Sequence, residues 1–310
     1  MNRPLLVIVG PTASGKTSLS LLLAQRLNAE IVSADSRQLY RLLDIGTAKP
    51  GFEDRRRVPH HFIDILDPGE EYSAGRYGQE ARIVIEDILR RGKNPIMVGG
   101  SGLYVRAAVD GLFEGPEKDP ELRERLEEEK RRNGIEGLLK KLEQVDPETA
   151  QWMRQEPKVR RIVRALEVFY STGLPLSQFH KEQRRVNSFE TSFVGLDWER
   201  NKLYERIDER VDQMLGRGFL EEVRHLMTNY DRSSNSLNTV GYRELMDHLD
   251  GNISLEEAVA LIKRNTRRFA KRQLTWFNAD KRVQWHSLKS EKDLADLAEN
   301  WRSVGHSDVF

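Results

Sequence analysis

The apolar positions of the first hundred residues follow two alternating rhythms. Leu5-Leu6-Val7-Ile8-Val9 is a continuous apolar run of strand length, after which Leu19, Leu22, Leu23 and Leu27 recur at helical spacing over 17–27. Glu30-Ile31-Val32-Ser33 and Pro95-Ile96-Met97-Val98 predict two more strands, with a helix around Tyr77 to Arg90 between them. Strands alternating with helices across short loops predict an α/β fold, a parallel sheet flanked by helices. Each strand runs into a polar or glycine-rich turn: Gly10 to Thr17, Ala34-Asp35-Ser36 and Gly99-Gly100-Ser101-Gly102. Ligands of open parallel sheets sit at the carboxyl ends of the strands, so the three turns are expected to converge on one crevice.

From about Gly115 to Glu190 the strand signal stops. Leu122, Leu126, Leu138, Leu139, Leu142, Ile162, Leu166, Val168 and Phe169 recur at helical spacing among many charges, which predicts an all-helical insertion domain. Phe193-Val194-Gly195-Leu196 returns to a strand pattern, followed by helices over 202–217, 219–230, 242–249 and 254–277. Ser254-Leu255-Glu256-Glu257 is a capping-box start for the last of them. The expected organisation is a core of 1–114 and 191–290, an insertion of 115–190, and a C-terminal tail of 291–310 whose last dozen residues fray.

Composition narrows the chemistry. The 310 residues are 38% hydrophobic and 32% charged, as in a soluble globular protein, and no apolar stretch approaches membrane-spanning length. The five-residue run near the start leads directly into a loop, so it reads as a core strand and not a signal peptide, and a cytoplasmic, monomeric protein without membrane contact is expected. The absence of cysteine excludes disulfides, thiol catalysis and Cys-based zinc sites. A net charge of +1 demands no nucleic acid, yet the cations are clustered: Arg160, Arg161 and Arg164 on the insertion, and Lys263, Arg264, Arg267, Arg268, Lys271 and Arg272 along one broad helix face. Such runs are often only solvated surface. Two of them beside a crevice also suit a phosphate backbone, which rewards several simultaneous Lys and Arg contacts.

Residues 10–17, Gly-Pro-Thr-Ala-Ser-Gly-Lys-Thr, carry the sharpest signal. A GxxxxGK[ST] loop between a strand and a helix turns backbone N–H groups toward a phosphate, adds the Lys16 charge, and offers the Thr17 hydroxyl to Mg2+. Asp35 is placed to face that ligand, and position alone leaves it open between a turn or cap residue and a general base or magnesium-shell carboxylate. Ser101 is either part of a tight turn or a hydrogen-bonding group at the crevice. Arg206 and Arg210 stand one turn apart and either share an anion or form a solvated charged face.

Together with Asp35-Ser36-Arg37-Gln38-Leu39-Tyr40, Asp44-Ile45-Gly46-Thr47-Ala48-Lys49-Pro50, Pro59-His60-His61, Gly99 to Tyr104, Arg164 to Val168, Val240-Gly241-Tyr242-Arg243 and Lys271 to Phe277, the loop resembles the bacterial tRNA dimethylallyltransferase family, in order from about residue 5 to 277. The resemblance implies transfer of the dimethylallyl group of dimethylallyl diphosphate to N6 of adenosine 37 in the anticodon loop of tRNAs reading codons that begin with U. It implies that Gly10, Pro11, Thr12, Ala13, Ser14, Gly15, Lys16 and Thr17 cradle the diphosphate, with Mg2+ on Thr17 and Arg210 as a further clamp. Asp35 would accept the N6 proton, with Thr12 and Ser101 near the reacting atoms. Ser36, Arg37, Gln38 and Leu39 would touch the extruded adenosine or its neighbours, and Arg123, Arg160, Arg161, Arg164, Asn238, Gly241, Tyr242 and Arg243 would bind the tRNA anticodon stem-loop. Ser101 departs from the Thr common in relatives. Three rivals remain: a P-loop kinase, an adenylate isopentenyltransferase acting on free nucleotides, and an RNA-binding nucleotide switch, the last lacking an NKxD guanine motif.

Overall fold

The computed structural model describes residues 4–112, 116, 119–182 and 189–301. The chain divides into two compact units, Met1–Asp110 with Asn187–Phe310, and Gly111–Val186.

The first unit is built from β1 (Leu5–Val9), α1 (Lys16–Leu27), β2 (Ala29–Ser33), α2 (Phe52–Arg57), β3 (His60–His61), α3 (Ala74–Arg90), β4 (Asn94–Val98) and α4 (Gly102–Asp110). After the second unit's α5 (Pro120–Val145), α6 (Pro147–Gln155), α7 (Val159–Thr172) and α8 (Leu176–Glu182), it resumes with β5 (Thr191–Trp198), α9 (Arg200–Gly216), α10 (Phe219–Asn229), α11 (Tyr242–Leu249), α12 (Leu255–Asn278), β6 (Val283–Leu288) and α13 (Glu291–Glu299). Six parallel strands form one sheet in the order β3-β2-β4-β1-β5-β6.

Alternate residues of β1 enter different cores. Leu5, Val7 and Val9 pack with Tyr77, Met97 and Phe193, whereas Leu6 and Ile8 pack with Leu19, Leu23, Ile96 and Val194. A strand buried on both faces must be apolar throughout, which is why β1 reads as a continuous run. The edge strands lack that constraint. β3 has two residues, and β6 reads Val-Gln-Trp-His-Ser-Leu with only its ends buried, so neither carried a strand signal.

Residues 291–299, expected to belong to a tail, instead form α13, whose Leu294 and Ala298 join Trp301 in the core with Leu19 and Leu23 of α1. The frayed end expected for the last dozen residues falls, from 302 onward, outside the described residues. No helix among the described residues is long and apolar enough to cross a membrane.

The second unit is helical throughout its described elements, with a core of Leu122, Leu126, Leu138, Leu139, Leu142, Ile162 and Leu166. Gly134 breaks α5 at a φ of 67°, a left-handed conformation that costs glycine least. Glu167 is fully buried in this unit and accepts from both Arg123 Nε and Arg123 Nη2, the latter at 2.9 Å, with Arg164 Nη1 3.5 Å away.

Candidate active site

The loop after β1 is shaped by backbone geometry that few sequences supply. Gly10 has a φ of 146°, and a Cβ there would lie 2.7 Å from the Leu196 carbonyl oxygen. Ala13 and Gly15 also take positive φ, 63° and 90°. The loop opens into α1, whose first-turn N–H groups have no intrahelical acceptors, and faces a cavity of about 610 Å³. Thr12 to Thr17, Asp35 to Gln38, Gly99 to Ser101, and Arg206 and Arg210 of α9 line it. The turns after β1, β2 and β4 therefore do converge.

Electrostatics distinguish this cavity. Lys16 Nζ donates to the carbonyls of Gly10 at 3.0 Å and Pro11 at 2.6 Å. Burial, and then repulsion from Arg210, lower its pKa from 10.5 to about 7, against the pull of Asp35. Burial lowers Arg210 as well, with Asp35 again opposing. Among the described residues no carboxylate lies within ion-pair distance of Arg210. Half-buried Arg210 and a Lys16 that regains its proton when an anion arrives give the cavity a charge preference that one carboxylate does not offset.

Asp35 takes the turn position and also faces the cavity. Its Oδ1 accepts from the Arg37 N–H at 2.8 Å, closing a turn, and the residue still lines the cavity. Ser101 likewise does both: its Oγ accepts from the Ser36 N–H at 3.1 Å and lies 3.3 Å from Ser36 Oγ, while Gly99 approaches Ala34 so closely that a Cβ would sit 2.1 Å from its carbonyl oxygen. Gln38 donates to the Thr47 and Ala48 carbonyls at 3.2 and 3.4 Å, and Arg37 reaches the Asn235 carbonyl at 2.6 Å.

Several expectations change. Leu39 is fully buried in the core and is not available to a base. Tyr242 is also fully buried, with its hydroxyl on Glu222 at 2.6 Å, so its side chain does not contact RNA; Gly241 beside it does line the cavity. Gly10 and Pro11 supply carbonyls to Lys16 and do not line the cavity, and the Thr12 N–H is taken by Gln273 Oε1 at 2.8 Å. Arg123 and Arg164 are engaged by Glu167, whereas Arg160 and Arg161 are exposed, Arg161 over the ring of Trp152 at 5.5 Å. Asn238 and Arg243 are exposed. On α12, Lys263 and Arg267 pair with Asp212 and Asp208, leaving Arg264, Arg268, Lys271 and Arg272 exposed beside Phe269 and Trp276.

Two positioning residues were missed. Gln273 on α12 bridges the first loop to the third, since its Nε2 donates to the Gly100 carbonyl at 3.1 Å. Glu222 on α10 accepts from the N–H groups of Asp44, Ile45 and Gly46 at 3.0, 2.7 and 3.1 Å and so holds the turn whose Gly46, Thr47 and Ala48 line the cavity. For Gln273 the hint was its place in the block Lys271 to Phe277. Glu222 had none.

A magnesium ion fits this donor set only as a companion of the ligand. Thr17 and Asp35 offer hard oxygen to the cavity and Ser14 Oγ is buried without a partner, but the described residues hold no cluster of three His, Cys, Asp or Glu. Val211, Met214, Phe219, Val240 and Ile262 add apolar surface to the lining. The cavity thus combines cationic, apolar and carboxylate groups.

The family model described as IPP transferase matches residues 38–280, and that described as isopentenyl transferase matches 3–64. The chain is 48% identical over 283 residues to tRNA dimethylallyltransferase 1 of Pelobacter propionicus, covering 91% of each. It is 46% identical over 301 residues to the tRNA dimethylallyltransferase of Thermotoga petrophila, covering 96% of each. Among solved structures it resembles the tRNA isopentenylpyrophosphate transferase of Bacillus halodurans, at 40% identity and a TM-score of 0.71 over 97% of this chain and 96% of that one. It also resembles a eukaryotic dimethylallyltransferase acting on tRNA, at 29% identity and a TM-score of 0.84 over 98% and 78%. With a model that spans most of its length and relatives close to half identical across nine-tenths of it, the chain belongs to the IPP transferase family, as a bacterial tRNA isopentenyltransferase.

Proposed function

We infer that this enzyme transfers the dimethylallyl group of dimethylallyl diphosphate to N6 of adenosine 37 in the anticodon loop of tRNAs reading codons that begin with U, and releases diphosphate. The observation that carries the reading is one cavity lined by Lys16, Arg210 and Asp35 together with the apolar side chains Val211, Met214, Phe219, Val240 and Ile262. A prenyl diphosphate has that polarity, and its anion supplies the charge the two cations lack.

The adenine amine shares its lone pair with the ring and is a poor nucleophile. Asp35 accepts an N6 proton as the nitrogen forms its bond to the allylic carbon, and the breaking C–O bond leaves its electrons on the diphosphate bridging oxygen. Lys16, Arg210 and the loop amides stabilise that growing charge. Thr17 is the residue that would hold a Mg2+ ion, which would add charge neutralisation at the diphosphate. A base stacked in the anticodon loop cannot reach this cavity, so the adenosine enters extruded, beside Ser36, Arg37, Gln38 and Ser101. Arg160 and Arg161, with Asn238, Gly241 and Arg243, hold the RNA, and the enzyme acts as a cytoplasmic monomer.

Transfer of label from dimethylallyl diphosphate is the test, with unmodified tRNA, AMP and ATP offered separately in the presence of Mg2+. Label in tRNA alone is expected. Label in AMP or ATP would favour the free-nucleotide enzymes, and ATP consumption without label transfer would favour a kinase.

A further inference from the structure

The loop that faces the ligand is also gripped by a side chain to which the reaction as described gives no role, although it lines the same cavity. Arg206 stands one turn before Arg210 on α9. Its Nε donates to the carbonyl of Ala13 at 2.8 Å, its guanidinium lies over the Trp198 ring at 4.1 Å, and its Nη1 pairs with Glu291, the first residue of α13. Trp198 Nε1 donates to the next carbonyl, that of Ser14, at 3.0 Å. Two successive carbonyls are thereby engaged by side-chain donors. Within one peptide plane the carbonyl and the following N–H point in opposite directions, so fixing the Ser14 carbonyl on Trp198, which does not line the cavity, turns the Gly15 N–H away from that side.

Ala13 needs this help. Its φ of 63° is a left-handed conformation disfavoured for a residue with a Cβ, so the loop does not hold the shape unaided. From the same side, α13 presses Leu294 onto Gly15, where a Cβ would lie 2.5 Å from Leu294 Cδ1. Glu291 and Leu294 lie beyond both segments matched to the family.

We propose that Arg206, oriented by Glu291 of α13, is a positioning residue that presets the phosphate loop for the donor's diphosphate and is not itself an anion ligand. The proposal rests on the reading that this loop holds diphosphate. Guanidinium chemistry is required, because Lys offers neither the flat face for Trp198 nor the separate donors for Ala13 and Glu291. With Arg206 committed to these partners, Arg210 is the arginine left to meet the anion.

The test is calorimetric binding of inorganic diphosphate with Mg2+, beside separate KM values for dimethylallyl diphosphate and tRNA, on the full chain. Arg206→Ala should weaken diphosphate binding and raise donor KM by about tenfold or more, the effect of losing a charged hydrogen bond, and Arg206→Lys should not restore it. Glu291→Gln removes only an exposed ion pair, so Tm should hardly move while diphosphate binding weakens about two- to fivefold. The tRNA KM should be unchanged in all three. Tighter binding in Glu291→Gln would mean that Arg206, once released, reaches the anion, and unchanged binding in Arg206→Ala would make the brace a surface ion pair; either overturns the proposal. Lys16→Ala serves as the separate control: if it and the wild-type enzyme bind diphosphate equally, the diphosphate reading fails and the inference falls with it.

Discussion

Lys16 and Asp35 lie in one electrostatic field and respond to different experiments. With its pKa lowered to about 7, Lys16 is largely neutral above that pH until an anion arrives. Diphosphate binding should therefore make Lys16 take up about half a proton at pH 7, rising toward one at pH 8, seen as a dependence of the calorimetric enthalpy on buffer ionisation, and Lys16→Met should lower the uptake by that amount. The sign for stability follows from the same shift. Between pH 7 and 10.5 the unfolded chain holds the Lys16 proton and the folded one does not, so this group's contribution to stability rises with pH across that window. Asp35→Ala should lower kcat about 10²–10⁴-fold while tRNA affinity barely changes, and a loss confined to tRNA affinity would remove the general-base role. At this scale the phosphate loop was legible because its spacing encodes backbone shape. The orientations of Leu39 and Tyr242 were not, since adjacent residues of a motif can face opposite sides of a turn. The role of Gln273 was hidden for another reason: its partner Thr12 is 261 residues away.

Elements were legible in proportion to burial on both faces. The central strands β1, β2 and β4 declare themselves as apolar runs, whereas β3 and β6 lie at the sheet edges and carry polar residues. The amphipathic α13 buries only Leu294 and Ala298 of its nine residues, too few to stand out from a charged tail. Some elements are joined by charge rather than apolar contact. Glu30 of β2 is 2% exposed and accepts from Arg91 at the end of α3 at 2.7 Å, from Lys93 at 2.9 Å, and pairs with His61 of β3 at 2.8 Å. The hydrogen bonds from Arg91 first, then Lys93 and His61, hold its carboxyl well below the ordinary 4.5 against the penalty of burial. Its contribution to stability is therefore complete above pH 4.5 and is lost as pH falls below it. Glu30→Gln should cost on the order of 3 kcal/mol at neutral pH and flatten the acid limb of stability against pH, as measured by urea unfolding.

Across the whole molecule, each compact unit carries both arginines that hold the protein together and arginines open to a partner. Arg160→Ala with Arg161→Ala should weaken tRNA binding and reduce the slope of log K against log salt by about one for each phosphate no longer neutralised, with donor KM unchanged. Arg123→Ala should act differently, lowering Tm because buried Glu167 is deprived of its bidentate partner. The sequence displayed all these cations alike, because a charge run does not reveal which members meet a buried carboxylate.

The sheet order also has a temporal side. β1 lies between β4 and β5, and about 180 residues, including the entire helical unit, separate β1 from β5. At about 5–20 residues per second, synthesis takes roughly 10–40 s to cover that distance. Throughout that interval one edge of β1 has no native neighbour and remains open to mispairing. Trp198 closes β5 and Arg206 follows it, the two side chains that bond to the Ser14 and Ala13 carbonyls. A nascent chain therefore carries all of residues 10–17 long before it has the side chains that grip them.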